Sequence, residues 1–265
     1  MPRKARVEFP GAFYHVIARG NQRQDVFRDD ADRLFYLARL EFYRKRYGFR
    51  LYAFVLMSNH VHLLIETGDS HLSKIMQGLQ FTYTQHYNRR YRTIGHLFQG
   101  RYKAILCDRD AYLLELVRYL HLNPARLRRP VDPWKYPWSS HPAYLGNNCP
   151  VEVETSLVLG QFGSKAKQAR RAYLRFMEEG MGLGHVDQYY EVVDQRFLGD
   201  EGFVDEVDRR TESKREVKAG LSKVAFPSLL QALARQYKVD AEELARKGRR
   251  RKWVRARAML VYLAR

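Results

Sequence analysis

The sequence has few cysteines and no long apolar run, and both shortages exclude classes of protein. Two cysteines in 265 residues, Cys107 and Cys149, are too few for a disulfide framework and lack the spacing of a zinc site. No apolar stretch approaches the roughly 20 residues that a membrane helix needs. Residues 1–6 are basic and lack the apolar segment of a secretion signal. We therefore expect a cytoplasmic protein without a membrane partner.

Acidic residues are also scarce relative to basic ones. There are 47 Lys and Arg against 29 Asp and Glu, a formal net charge of +18. Residues 1–147 carry +12, residues 148–213 carry −5 and residues 214–265 carry +11. Such basic bodies commonly neutralise phosphates, and the 18 tyrosines offer rings on which unpaired bases can stack. Nucleic acid is the favoured partner, with general solubility or attraction to anionic lipid as the alternative.

A nucleotide-binding loop is a further absence. Residues 95–102 (GHLFQGRY) contain two glycines but lack the Lys-Ser/Thr pair of a phosphate-binding loop. We read them as a turn that leads into a strand, and we predict no nucleotide site.

What the sequence does contain is a pair of histidines, His60 and His62, inside the apolar run of residues 57–66. Side chains two apart on a strand point to the same face, so the two imidazoles would lie side by side as half of a divalent-metal site. The alternative is two strand histidines whose nitrogens bond to neighbouring carbonyls.

The order of predicted elements indicates the fold. Alternating residues 13–19 predict a strand, and a helix follows from Asp29 or Asp30 to Gly48. Residues 49–56 and the His-x-His segment predict a hairpin, followed by a helix over 71–91 and a strand over 102–107. Strand, helix, strand, strand, helix, strand is the order of an α+β ferredoxin-like sandwich, an antiparallel sheet with helices on one face.

A further helix is predicted over residues 110–123. Tyr112, Glu115, Leu116, Tyr119 and Asn123 fall at spacings of three and four, so they share one helix face. A hydroxyl nucleophile and an amide ligand would then lie one turn apart. The alternative is that Tyr119 is a core aromatic and that Asn123 caps the turn beginning at Pro124.

Four sequence blocks resemble, in order and spacing, the single-tyrosine HUH transposases, and in particular their REP-associated branch. The blocks are residues 58–62 (SNHVH), 100–103 (GRYK), 118–126 (RYLHLNPAR) and 136–140 (YPWSS). The resemblance spans about residues 8–146. It implies an HUH nuclease fold with His60, His62 and Asn123 as metal ligands and Tyr119 as the nucleophile that forms a 5′-phosphotyrosine link.

The same resemblance implies the cofactor and the partner. Two imidazoles and one amide oxygen leave positions open for phosphate oxygens, consistent with Mg²⁺ or Mn²⁺. The expected partner is single-stranded or hairpin palindromic DNA, with Arg101 and Lys103 as candidate contacts. The protein would work as a monomer or a homodimer.

The C-terminal segment has a second, shorter resemblance, to the start of the DNA-binding domain of the bacterial replication initiator. The chain ends where the recognition helix of that family would follow. Basic residues in this segment are candidate phosphate contacts: Arg249, Arg250, Arg251, Lys252, Arg255 and Arg257. We predict three parts: a transposase domain over 1–147, an acidic helical connector over 148–213 and a basic helical DNA-binding segment over 214–265.

The leading hypothesis is a metal-dependent DNA transposase that cleaves and rejoins single-stranded or hairpin DNA. A relaxase-type origin nickase on the same fold and a catalytically silent DNA-binding regulator are the alternatives. The intact set of His60, His62, Tyr119 and Asn123 argues against the regulator.

Overall fold

A computed structural model provides the structure of the chain. It describes residues 7–127, 129–181, 197–200, 202–207, 209, 211, 226–237, 239–240 and 259–260. In this part of the chain, no helix combines the length and the apolar character that crossing a membrane requires.

A five-stranded sheet forms the centre of the fold, in the order β2-β3-β1-β4-β5. Its first four strands pair antiparallel, and their order along the sheet is that of a ferredoxin-like fold, as predicted. The fifth strand is short and pairs parallel to β4, so the complete sheet is mixed. The strands are β1 (Phe13–Arg19), β2 (Arg50–Leu56), β3 (His60–Glu66), β4 (Lys103–Cys107) and β5 (Phe197–Leu198).

Two long helices cover the first face of the sheet. They are α1 (Asp30–Tyr47) and α2 (Leu72–Tyr91). The Asp29 side chain caps α1 by accepting from the Asp32 backbone amide at 3.0 Å, and Gly48 ends the helix at a φ of 63°. Apolar side chains of both helices pack on the first face of the strands, which is where the ferredoxin-like pattern places its helices.

The second face is covered by helices from the chain that follows β4. These are α3 (Arg109–His121), α4 (His141–Tyr144), α5 (Ser156–Gly160) and α6 (Ala166–Glu179). The Asp108 carboxylate caps α3, and Leu113, Leu116 and Leu120 at helical spacing turn its apolar side to the sheet. Helices therefore cover both faces of the sheet, whereas the sequence predicted helices on one face.

The chain divides into two compact units, residues 1–207 and 208–265. Segment 156–179, within the predicted connector, contributes Val158, Tyr173 and Met177 to the core on the second face. In the second unit, helix α7 (Phe226–Tyr237) packs Ala234 against Leu230, Tyr237 and Val239. The division at residues 147 and 213 remains a prediction.

Gly78 on α2 gives a test of the packing between α1 and α2. A Cβ at this position would lie 2.7 Å from the Tyr43 ring, which is buried. Overpacking should therefore outweigh the better helix propensity of alanine, and Gly78→Ala should lower the free energy of unfolding by about 1–2 kcal/mol in urea denaturation.

Gly160, at the end of α5, is the matched control because a Cβ there meets no atom within 4 Å. Gly160→Ala should be neutral or stabilising by up to roughly 1 kcal/mol. Equal effects of the two substitutions would contradict this account of the helix interface.

Candidate functional site

The two histidines of β3 lie on the second face of the sheet, at the start of the strand. Their ring centroids are 5.0 Å apart. On the neighbouring strand β1, Arg19 pairs with His60 and Ile17 pairs with His62. Side chains that pair across antiparallel strands share a face. Alternate residues of β1, namely His15, Ile17 and Arg19, therefore lie beside the histidine pair.

Helix α3 brings Tyr119 to the same place. The Tyr119 ring centroid is 6.1 Å from that of His62 and 6.0 Å from that of His15, both in edge-on contact. Tyr119 is 2% exposed, and the Arg126 guanidinium lies 5.0 Å from its ring centroid. The predicted nucleophile and one predicted metal ligand are thus neighbours across the interface between α3 and the sheet.

Asn123 is one helical turn beyond Tyr119, at the start of a 3-10 turn over Asn123–Arg126. Its side chain is half-buried and makes no hydrogen bond within the described part of the chain. Glu115, which shares the helix face of Tyr119, is paired with Arg118 at 2.5 Å.

Each histidine of the pair has its Nδ1 atom held by an outer partner. His60 Nδ1 lies 2.6 Å from Asn59 Oδ1, and His62 Nδ1 lies 2.8 Å from His15 Nε2. Metal-binding histidines usually donate their second ring N–H to an acceptor, which orients the ring and leaves Nε2 for the metal; Asn59 Oδ1 is such an acceptor for His60, and His15 Nε2 can accept from His62. The arrangement fits a divalent metal.

Electrostatics keep both imidazoles neutral, the form that binds metals. Burial, and after it the charge of Arg19, lowers the pKa of His60 to about 4. Burial, then the neighbouring His15 and His60, holds the pKa of His62 well below its usual value. No three His, Cys, Asp or Glu side chains in the described residues are grouped to hold a metal ion.

Basic side chains surround this end of the sheet. Lys103 pairs with Ile17 on the opposite side of β1 from His62, and its charge contributes to lowering the pKa of His15, after burial. Arg101 is exposed two residues before Lys103. The C-terminal candidates Arg249, Arg250, Arg251, Lys252, Arg255 and Arg257 lie outside the described residues.

Four residues at the site were not singled out from the sequence. They are His15, Arg19, Asn59 and Arg126. The sequence could have identified His15 and Arg19, because they alternate with Ile17 on one face of a predicted strand. The roles of Asn59 and Arg126 depend on side-chain contacts that no periodicity reveals.

A buried polar network anchors the end of α3 that carries the site. His121 Nδ1 is 2.8 Å from the Tyr173 hydroxyl on α6, and His121 Nε2 is 2.7 Å from Ser140 Oγ. The same Tyr173 hydroxyl is 2.8 Å from His141 Nδ1. Since Ser140 Oγ also accepts from the Phe54 amide on β2, the network ties α3, α4, α6 and the sheet together.

The ferredoxin-like sheet, with a His-x-His pair that faces a helical tyrosine, has the arrangement that the resemblance to the HUH transposases implies. In agreement with this class, residues 9–123 match the family described as "Transposase IS200 like". The matched segment is 115 of the chain's 265 residues, and the match is a similarity to that family over this segment. The comparison with curated proteins gives no match.

Two solved structures match parts of the chain at low sequence identity. The REP-associated tyrosine transposase bound to a REP hairpin is 16% identical, with a TM-score of 0.47 over 58% of this chain and 92% of that one. A Deinococcus radiodurans R1 protein assigned as a transposase is 20% identical, with a TM-score of 0.32 over 45% of this chain and 98% of that one.

The buried histidines predict a loss of stability in mild acid. Burial lowers the pKa of His141 to about 4 in the folded protein, against about 6.5 in an unfolded chain. The folded state binds fewer protons between these values, so the contribution is complete above about pH 6.5 and is lost as the pH falls towards 4. His141→Gln should therefore reduce the difference in unfolding free energy between pH 7 and pH 5 by about 2 kcal/mol.

Urea denaturation at the two pH values measures this difference. His96 is exposed, and His96→Gln serves as the control that should leave the difference as in the wild type. A His141→Gln variant that loses as much stability as the wild type between pH 7 and pH 5 would contradict the assignment.

Proposed function

We propose that the chain is a metal-dependent DNA transposase that cleaves and rejoins single-stranded or hairpin DNA through a covalent link to Tyr119. The observation that carries the proposal is the edge-on contact of the Tyr119 ring with His62, in a site where the histidine pair is neutral and held from outside. The match of residues 9–123 to the IS200-like transposase family supports DNA as the substrate.

The chemistry assigned to Tyr119 is an exchange of one phosphodiester for another. The Tyr119 Oη atom attacks the scissile phosphorus, the bond from phosphorus to the 3′ oxygen breaks, and the hydroxyl proton is in net terms transferred to that departing oxygen. The product is a 5′-phosphotyrosine and a free 3′ hydroxyl. Because no water is consumed, the reverse attack by another 3′ hydroxyl rejoins DNA, which hydrolysis would prevent.

His60, His62 and Asn123 are assigned as the metal ligands. A bound Mg²⁺ or Mn²⁺ would polarise the scissile phosphate and stabilise the charge that develops on its oxygens. The chain itself supplies neutral ligands and keeps their rings oriented through Asn59 and His15. It also buries the tyrosine, which limits competition from water.

Basic side chains around the site would bind the DNA backbone. Arg19, Arg101 and Lys103 lie along the edge of the sheet where β1 ends and β4 begins. Phosphate contacts position a nucleic acid without reading its sequence. The C-terminal residues Arg249, Arg250, Arg251, Lys252, Arg255 and Arg257 are proposed as further contacts, and the hairpin preference is proposed by analogy with the REP-associated transposase.

The nucleophile is tested by Tyr119→Phe, which removes the hydroxyl and keeps the ring. The variant should bind labelled single-stranded DNA with unchanged affinity and yield no covalent protein–DNA adduct on a denaturing gel. Tyr112 lies two turns earlier on the same helix, so Tyr112→Phe is the matched control and should form the adduct as the wild type does. An adduct of normal yield from Tyr119→Phe would assign the nucleophile to another tyrosine.

The metal ligands are tested by His60→Ala and His62→Ala. Either change should abolish cleavage in both Mg²⁺ and Mn²⁺, because one imidazole and one amide make too weak a site. Asn123→Ala should reduce cleavage less. His71, exposed at the start of α2, gives the control His71→Ala, which should cleave normally. Undiminished cleavage by the wild type in EDTA would show that no metal is needed.

A further inference from the structure

The side chain of Asn59 has a fixed orientation because its two polar atoms face different partners. Asn59 Nδ2 lies 3.2 Å from the Arg23 carbonyl oxygen, and Asn59 Oδ1 lies 2.6 Å from His60 Nδ1. A carbonyl oxygen only accepts hydrogen bonds, so the NH₂ group must face Arg23. The oxygen of Asn59 is therefore the atom presented to His60.

This orientation decides where the His60 proton is. An amide oxygen can only accept, so a hydrogen bond between these atoms requires a proton on His60 Nδ1. A neutral imidazole carries one proton, and its Nε2 then has a free lone pair. That is the tautomer able to bind a metal through Nε2.

The backbone of the turn that holds Asn59 is strained. Gln22 and Arg23 adopt positive φ angles of 51° and 61°, which are unusual for residues other than glycine. The Gly20 amide donates to the Asn59 carbonyl at 2.8 Å, and a Cβ on Gly20 would lie 2.1 Å from the Gln24 carbonyl oxygen. The tight turn over residues 20–24 therefore binds Asn59 through both its backbone and its side chain.

We propose that Asn59 is a positioning residue that selects the metal-binding tautomer of His60, and that the turn over residues 20–24 orients Asn59 for this task. The inference deepens the proposed function, because it names the group that prepares one ligand of the proposed metal. Asn59 itself contacts neither metal nor DNA in this role.

His62 has no partner that selects its metal-binding tautomer, and the contrast with His60 shows what Asn59 contributes. Its Nδ1 faces His15 Nε2, an atom that can donate or accept. If His62 donates, the His15 proton lies on Nδ1, a buried atom without a hydrogen-bond partner among the described residues. His15 thus does not favour the metal-binding tautomer of His62, whereas Asn59 permits only that tautomer of His60.

The experiment measures the tautomer directly in the full-length protein without metal or DNA. Side-chain ¹⁵N resonances of His60 distinguish a protonated from an unprotonated nitrogen. The wild type at pH 8 should show a proton on Nδ1 and none on Nε2. In Asn59→Ala no acceptor selects the tautomer, so a population with the proton on Nε2 should appear, and the Kd for Mn²⁺ should rise by about 10- to 100-fold in calorimetry.

Two further variants separate this role from general damage to the fold. Asn59→Asp keeps an acceptor for His60 and should retain the Nδ1 proton and bind Mn²⁺ more tightly than Asn59→Ala. Asn88 has the same pair of bonds elsewhere, with Nδ2 donating to the Gly95 carbonyl and Oδ1 accepting from Thr93, so Asn88→Ala is the matched control. It should change neither the His60 resonances nor the Kd.

A wild-type His60 with its proton on Nε2 would overturn the proposal, as would an Asn59→Ala variant with unchanged resonances and Kd. Loss of Mn²⁺ binding in Asn59→Asp as severe as in Asn59→Ala would also overturn it, since the acceptor would then be irrelevant. These readouts do not involve Tyr119 or cleavage. A failure of the proposed DNA chemistry would therefore leave the tautomer result standing, and the reverse also holds.

Discussion

The antiparallel pairing of β1 with β3 is the constraint on which the site depends. Its register sets Ile17 beside His62 and Arg19 beside His60, and it brings His15 within hydrogen-bonding distance of His62. Side chains alternate between faces along a strand, so a slip of one residue would turn the histidine pair towards α1 and α2. The pair would then lie away from Tyr119. The histidine pair and Tyr119 therefore come together only if the strands pair in this register.

Polar side chains are buried on the second face of the sheet, and their hydrogen bonds offset part of the free-energy cost of burying them. The imidazoles of His15, His60 and His62 lie between the sheet and α3, close to the Tyr119 ring, and leaving a polar atom unpaired in such a buried place is costly. Most of the ring nitrogens involved have partners, either in the site or in the network of His121, His141 and Tyr173. That network fixes the end of α3 to α4, α6 and β2, so it determines where Tyr119 and Asn123 are held.

Arg19 and Lys103 affect the charge state of the histidines and are also proposed to contact DNA. Arg19 and Lys103 help to lower the pKa values of the nearby histidines, although burial contributes more. Lower pKa values keep the imidazoles neutral and able to bind a metal at ordinary pH. The same two cations are the ones proposed as contacts to DNA phosphates. Positive charge at this edge of the sheet therefore suits both the ligands and the proposed substrate.

The sequence by itself determined the local elements and their order. Alternation in residues 13–19, the cap at Asp29, the stop at Gly48 and the His-x-His spacing each depend on near neighbours in the chain, and they were enough to predict the ferredoxin-like core and the shared face of His60 and His62. Only the tertiary structure decided that α3 to α6 cover the second face, that β5 joins the sheet, and that His15 and Asn59 hold the histidine pair. Those outcomes depend on packing between segments far apart in sequence and on the orientation of single side chains, which no periodic pattern encodes.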